Sequence, residues 1–247
     1  MKPDVKVSVI TVCRNSEAVI CKTIESVLKQ SYHDIEYIII DGLSHDRTVA
    51  LAESYRESFE TKGYIFKLVS ERDEGIYDAM NKGISMAAGE LVGIINSGDW
   101  YERQAVERAV ETYKRTGCDL FYADLRIIKE SGTMIKRARL PKRITTKDWN
   151  HPTTFIRGAV YEKYRYACRG LCDDLDLVMK IQQAGYKVAI LNEVLADFSF
   201  GGASNQKSFS SMVDRIKEKS RVYRENGFGR RYVLECILVE VAKYIWA

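Results

Sequence analysis

Residues 5–42 read VKVSVITVCRNSEAVICKTIESVLKQSYHDIEYIIIDG, and this stretch decides the fold class. Val5–Val12 is a short β-branched run, and Ile35–Ile40 is a second one. Between them, Ser16–Gln30 carries apolar residues at helical spacing: Val19, Ile20, Ile24, Val27 and Leu28. Strands this apolar, without the alternation of a half-exposed sheet, predict burial on both faces. Joined by a helix, they predict a parallel βαβ unit.

The pattern repeats outward. A helix over Asp46–Arg56 precedes a third strand at Tyr64–Val69. A helix over Ile76–Ala88 sets Ile76, Ala79, Met80, Gly83, Ile84 and Ala87 on one side, and Leu91–Ile95 is a fourth strand before a helix over Glu102–Arg115. Beyond Gly117 the pattern changes. Asp119–Ile128 and Thr133–Ala138 read as a hairpin around Glu130-Ser131-Gly132. Thr153–Ile156 and Lys187–Ile190 read as further strands, with a helix over Asp174–Ala184 between them, and the chain is helical from Phe209. The expectation is an α/β fold: a Rossmann-like, mostly parallel central sheet with helices on both faces and a mixed C-terminal portion. No internal repeat is visible.

Bulk properties narrow the function classes. The chain has 247 residues, 46% hydrophobic and 29% charged, enough for one large α/β domain with a sizeable core. A net charge of +4 is too mild to argue for nucleic acid as a partner. The six cysteines (13, 21, 118, 168, 172 and 236) form no CxxC pair, which predicts reduced thiols in a cytosolic protein rather than a zinc site. The N-terminal apolar run reads as a strand and not as a secretory signal. No uncharged run approaches the roughly 20 residues of a membrane-spanning helix.

Ligands of such sheets bind beyond the carboxyl ends of the strands. The polar residues there are Cys13-Arg14-Asn15, Asp41-Gly42, Ser70-Glu71-Arg72-Asp73 and Asn96-Ser97-Gly98-Asp99. Three of these four clusters contain aspartate, which points to a metal, a nucleotide or both. Taken singly, each acid also has a local reading. Asp41 and Asp99 sit in turns where aspartate is common. Asp173, Asp174 and Asp176 open a helix, where acids suit the capping positions and the macrodipole. The functional reading of Asp99 is a metal ligand beside a diphosphate. For Asp174 it is a general base for a hydroxyl.

Taken together and in order, the motifs resemble the family 2 glycosyltransferases of the GT-A fold. The resemblance runs through VSVITVCRNS (7–16), IEYIIIDG (35–42), SERDEGIYDAMNKGI (70–84), GELVGIINSGDW (89–100), HPTTF (151–155), DDLDLVMKIQQAGYK (173–187) and FGGASN (200–205). It implies that Thr11, Arg14 and Asp41 line the nucleotide base and ribose, with Asp73 reaching the same pocket and Asn96 and Gly98 on the nucleotide-sugar side. It implies Asp99 as ligand of a divalent metal, Mg²⁺ or Mn²⁺, and Asp174 as general base. His151, Asp173, Gly201 and Gly202 fall on the acceptor side. On this basis residues 1–117 are the nucleotide-sugar half of a single domain, 118–206 the acceptor half and 207–247 a helical tail.

The implied reaction is a single displacement that inverts the anomeric carbon. Sugar passes from a nucleoside-diphosphate sugar, UDP before GDP, to a saccharide or lipid-linked saccharide in bacterial surface polysaccharide assembly. Two positions depart from the family pattern. Gly98 replaces the first of the paired metal-motif aspartates, and Leu43 makes the turn after the second strand DGLS instead of DGGS or DGSS. A sugar nucleotidyltransferase shares the architecture but needs a Gly-rich, basic loop where this chain has CRNSEA. No GxGxxG follows the first strand, which sets aside a dinucleotide oxidoreductase. A non-catalytic nucleotide-sugar-binding module of the same fold stays open as the alternative.

The tail adds one more expectation. Basic residues at 215, 217, 219, 221, 224, 230 and 231 precede a helix with Val233, Leu234, Ile237, Leu238, Val241, Tyr244 and Ile245 on one face and Glu235, Glu240 and Lys243 on the other. Such a helix suits peripheral contact with the inner face of the cytoplasmic membrane, or packing against protein.

Overall fold

A computed structural model describes residues 4–199 and 208–246. The first strand, β1 (Val7–Cys13), is fully buried, and its side chains alternate between two cores. Helix α1 (Ile20–Leu28) lays Ile20, Ile24 and Val27 on the first of these. Strand β2 (Ile35–Asp41) pairs in parallel with β1 and divides in the same way. Its Ile35, Tyr37 and Ile39 face one core, and Ile38 and Ile40 face the other. The segment expected as one helix over 46–56 is two, α2 (Thr48–Glu53) and α3 (Arg56–Thr61). Ser54 and Tyr55 turn the chain between them, with the Tyr55 N–H donating to the Ala52 carbonyl at 3.2 Å, and this lets both Ala52 and Phe59 reach the core.

Strand β3 (Ile65–Ser70), helix α4 (Ile76–Met86), strand β4 (Leu91–Ile94) and helix α5 (Ala105–Thr116) complete the first half, with a two-residue strand, β5 (Trp100–Tyr101), before α5. The inward face of α4 is Tyr77, Ala79, Met80, Gly83 and Ile84; Ile76, expected there, is exposed.

The hairpin β6 (Leu120–Lys129) and β7 (Gly132–Lys136) is as expected. A single 3-10 turn, His151–Thr153, leads into β8 (Phe155–Arg157), and the short helix α6 (Gly158–Tyr161) follows. Helix α7 (Asp173–Gln183) precedes β9 (Val188–Ser199), which runs nine residues past the expected Ile190. The strand was hidden because its pairing with β6 shifts register on either side of Asp124, a bulge that breaks the period-2 pattern. Helices α8 (Phe209–Glu225) and α9 (Arg230–Trp246) follow.

Nine strands among the described residues form one sheet in the order β3-β2-β1-β4-β8-β6-β9-β5, with β7 beside β6. Helices α1, α2, α3 and α5 cover one face, and α4, α6 and α7 cover the other. The expected fold class holds: a mostly parallel Rossmann-like half joined to a mixed half.

Leu43, the bulky departure in the turn after β2, has φ +56 and is 48% exposed. A left-handed conformation costs a β-carbon-bearing residue roughly 1–2 kcal/mol, and glycine's extra freedom in the unfolded chain returns part of that. Leu43→Gly is expected to raise unfolding free energy by about 0.5–1 kcal/mol in urea titration. Unchanged or lower stability would show that Leu43 makes a compensating contact.

Candidate active site

Strands β1 to β4 are parallel, so their carboxyl ends open on one edge. Strand β8 runs antiparallel to β4, which brings the residues before it, His151–Thr154, to that edge as well. Strands β6 and β9 again run with β4, so Ser199 ends there too. Strand β1 lies between β2 and β4, where strand order reverses, and such a switch point is where open α/β sheets take ligands. The loops that leave β1 and β4 meet at this point through the hydroxyls of Ser16 and Ser97, 2.9 Å apart.

At the β1–β2–β3 end, Arg14, Gly42 and Asp73 converge. A β-carbon at Gly42 would collide with the Asp73 carboxylate and lie 3.4 Å from Arg14 Cδ, so the three residues are in close approach here. Asp73 Oδ1 also accepts from the Gly75 N–H at 3.0 Å. Two expected contacts do not reach this surface. Thr11 is fully buried, and its hydroxyl accepts from Tyr37 at 3.0 Å because its position in β1 points into the sheet's helix-covered face. Asp41 is fully buried as well. Its carboxylate takes the Ser44 N–H at 2.8 Å, the Ser70 hydroxyl at 2.6 Å and the Ser44 hydroxyl, so it shapes the turn from beneath. Cys13 Sγ lies 3.7 Å from Asp41. Burial first, and then that carboxylate, hold the thiol far above its ordinary range, so it is not a nucleophile.

Asp99 occupies the corner beyond β4. It is 6% exposed, its Oδ1 accepts from the Ser199 N–H at 3.1 Å, and burial lifts its carboxyl from 3.8 to about 7. The nearby Asn96 Oδ1 is buried with no hydrogen-bond partner. Gly98 has φ +98, a conformation side-chain-bearing residues rarely adopt, which accounts for glycine in this loop. Thr23 holds the loop from below: its hydroxyl accepts from the Gly98 N–H at 3.0 Å and donates to the Asp99 carbonyl at 2.6 Å. Gly201 and Gly202, expected on the acceptor side, lie outside the described residues.

The acidic start of α7 sorts into unlike members. Asp173 is 1% exposed and accepts from the backbone N–H groups of Arg169 and Gly170 at 2.5 and 3.2 Å, with Arg221 Nη2 at 3.3 Å. These bonds tie the start of α7 to the preceding turn and to α8. Asp176 is bonded to Asn226 at 2.7 Å, Lys180 at 2.7 Å and Arg169 at 3.3 Å. The Asp174 side chain is 23% exposed, and its Oδ2 stands 3.7 Å from His151 Nδ1. Burial depresses the His151 pKa, with Asp174 opposing, and His151 Nε2 is buried without a partner. The His151 turn is fixed from behind, since Thr153 Oγ1 and Asn150 Nδ2 each donate to the Ala123 carbonyl at 2.8 Å.

Tyr77 was missed from sequence. Its hydroxyl donates to the Leu171 carbonyl at 3.1 Å, and burial, followed by the charge of neighbouring Asp174, keeps it protonated. The usable signal was its place on α4, two and three residues before Ala79 and Met80 on the inward face.

Residues 8–170 match the family described as Glycosyl transferase family 2. TuaG of Bacillus subtilis, named for glycosyl transfer in teichuronic acid biosynthesis, is 29% identical over 143 residues, which are 58% of this chain and 56% of TuaG. The chain thus spans about half the length of that relative. Among solved structures, S. aureus TarS in complex with UDP-GlcNAc superposes with a TM-score of 0.70 at 16% identity, over 97% of this chain and 72% of that one. The mannosyltransferase PcManGT of Pyrobaculum calidifontis, with GDP-Man and Mn²⁺, gives 0.72 at 16% identity, over 100% and 71%. At these identities the likeness is one of fold.

Proposed function

The chain belongs to glycosyl transferase family 2, and on that premise we propose that it moves a sugar from a nucleoside-diphosphate sugar to a hydroxyl of a saccharide or lipid-linked saccharide. The observation that carries this reading is the division within the acids of α7. Neighbouring cations, amides and backbone N–H groups occupy Asp173 and Asp176, while Asp174 keeps a partly exposed side chain facing His151. Asp174 takes the acceptor proton as that hydroxyl oxygen bonds to the anomeric carbon, and the bond to the nucleoside diphosphate breaks. One displacement inverts the configuration. His151, on the acceptor side, faces the same carboxylate and orients it.

The donor-binding surface is Arg14, Gly42 and Asp73 in the 1–117 half, with UDP ahead of GDP as the nucleotide. A divalent cation, Mg²⁺ or Mn²⁺, fits the corner at Asp99: a buried carboxylate that accepts from the Ser199 N–H, in the same loop as Asn96, whose side-chain oxygen has no hydrogen-bond partner among the described residues. Among the described residues no group of three His, Cys, Asp or Glu is placed to hold a metal, so diphosphate and water would supply the other ligands. Once bound, the cation supplies positive charge against the departing diphosphate. The name of TuaG supports a place in cell-envelope polysaccharide assembly.

Incubation with UDP- and GDP-sugars plus Mn²⁺, measuring nucleoside diphosphate release, tests the reading. Acceptor-dependent release is expected. Tight nucleotide binding with no turnover would favour the non-catalytic module instead.

We also infer that α9 rests on an anionic lipid surface on the cytoplasmic side. No helix among the described residues is long and apolar enough to cross a membrane. Part of the apolar face of α9 is exposed, which supports the lipid contact. Leu234 and Leu238 are 62% and 70% exposed, while Glu240, opposite the apolar face, is fully buried between Arg215 Nε at 2.8 Å and Lys219 Nζ at 2.5 Å. Arg230 and Arg231, both exposed, flank the start of this apolar stripe, which suits anionic headgroups.

Burial of a leucine is worth ~1.5–3 kcal/mol, so the Leu234→Asp/Leu238→Asp variant should lose at least about tenfold in binding to phosphatidylglycerol vesicles. Equal co-sedimentation of variant and wild type would dismiss the inference. Dimerisation of the wild type alone would assign the stripe to a second copy.

A further inference from the structure

We propose that Arg221 of α8 is a positioning residue for Asp174, which makes α8 part of the reaction machinery and not a tail appended to it. The proposal rests on the reading of Asp174 as general base. Helix α8 lies beyond residues 8–170, the part of the chain that matches the family, yet it grips the turn from which Asp174 projects.

The turn is Arg169-Gly170-Leu171-Cys172, immediately before Asp173 and Asp174. Arg221 Nη2 reaches the buried Asp173 carboxylate at 3.3 Å, and the other oxygen of that carboxylate collects the N–H groups of Arg169 and Gly170. One guanidinium therefore sets the turn's backbone through one carboxylate. Arg221 is itself aimed by Glu218 at 2.8 Å and Glu225 at 3.3 Å. Packing is tight enough that a β-carbon on Gly170 would collide with the Glu218 carboxylate and lie 3.2 Å from Arg221 Nη2.

Further along, Arg169 Nη2 bridges Asp176 at 3.3 Å and Glu225 at 2.9 Å, and Asn226 at the end of α8 donates to Asp176 at 2.7 Å. On the opposite side, the Tyr77 hydroxyl of α4 holds the Leu171 carbonyl at 3.1 Å. The base-bearing turn is thus clamped between α4 and α8. Arg221 is the charged group on the α8 side that touches Asp173, the immediate neighbour of the base. A base displaced by about 1 Å loses up to roughly 100-fold in rate, so a clamp here bears on kcat more than on binding.

The same helix supplies an internal control. Arg215 belongs to a different contact, its Nε donating to the buried Glu240 of α9 at 2.8 Å. Asp174→Asn, Arg221→Gln, Arg221→Lys, Gly170→Ala and Arg215→Gln would be compared in the full chain, below the melting temperature of each. Transfer kcat, acceptor KM and UDP affinity by calorimetry are read together. Arg221→Gln is expected to lower kcat at least about tenfold with UDP affinity and acceptor KM within about twofold, and Arg221→Lys to restore most of it. Gly170→Ala, which displaces Glu218 from Arg221, should lower kcat in the same sense, and Arg215→Gln should leave it near wild type.

A loss in Arg215→Gln equal to that in Arg221→Gln would reduce the effect to general loosening of α8 and overturn the proposal. So would wild-type kcat in both Arg221→Gln and Gly170→Ala. If Asp174→Asn itself kept wild-type turnover, the base assignment would fail first, and the two failures are told apart by that variant.

Discussion

Asp174→Asn is expected to lower sugar transfer by roughly 10²–10⁴-fold, the usual span of general-base assistance, while leaving nucleotide affinity near wild type. The substitution keeps the size of the side chain and removes its ability to take a proton. Its neighbours are placed to tolerate the change. The Asp174 Oδ1 accepts the local Leu175 N–H at 2.8 Å, an acceptor role an amide oxygen also fills. The ties that hold α7 run through Asp173 and Asp176 instead, so the helix should stay in place. Asp173→Asn should behave differently, loosening the turn and lowering the melting temperature. Acceptor-dependent nucleoside diphosphate release beside UDP calorimetry checks the prediction, and near-wild-type turnover in Asp174→Asn would sink it.

Asp99→Asn should act in two opposite directions. In the presence of Mn²⁺ and donor it should cost at least about 100-fold in turnover, because charge stabilisation of the departing diphosphate is worth several kcal/mol. In EDTA it should stabilise the protein at pH 8. The sign follows from burial: the folded carboxyl titrates at about 7 and the unfolded one near 3.8. Between these values the folded state binds the extra proton, so the wild type loses stability as pH rises from about 4 to about 7 and regains none above it. That interval caps the effect at roughly 4 kcal/mol. Asparagine carries no such penalty. Thermal melts at pH 4 and pH 8 without metal should therefore coincide at the first and separate at the second, and equal melts at pH 8 would contradict the burial argument.

Much of the fold was legible because its first half obeys simple rules. Strands β1, β2 and β4 are buried on both faces, so each reads as an apolar run, and α1 shows its buried face at regular spacing. The second half resists the same reading. Strand β9 carries a bulge opposite Asp124, and without it neither the length of the strand nor the approach of Ser199 to Asp99 can be seen. Helix α9 misleads for a related reason. Its glutamates look like a solvent face until Arg215 and Lys219 of α8 are found against Glu240.

The order of motifs along the chain was enough to determine family, sheet type and the edge on which the polar loops gather, because parallel strands send every carboxyl end to one side. Which acids are tied into the fold was decided by tertiary structure alone. Asp41, Asp173 and Asp176 are the same residue type as Asp99 and Asp174, in equally suggestive positions. Their oxygens are taken by Ser44 and Ser70, by Arg169, Gly170 and Arg221, and by Lys180 and Asn226. A carboxylate whose oxygens are taken by neighbours in space is held in the fold, and those neighbours lie up to 50 residues away in the chain.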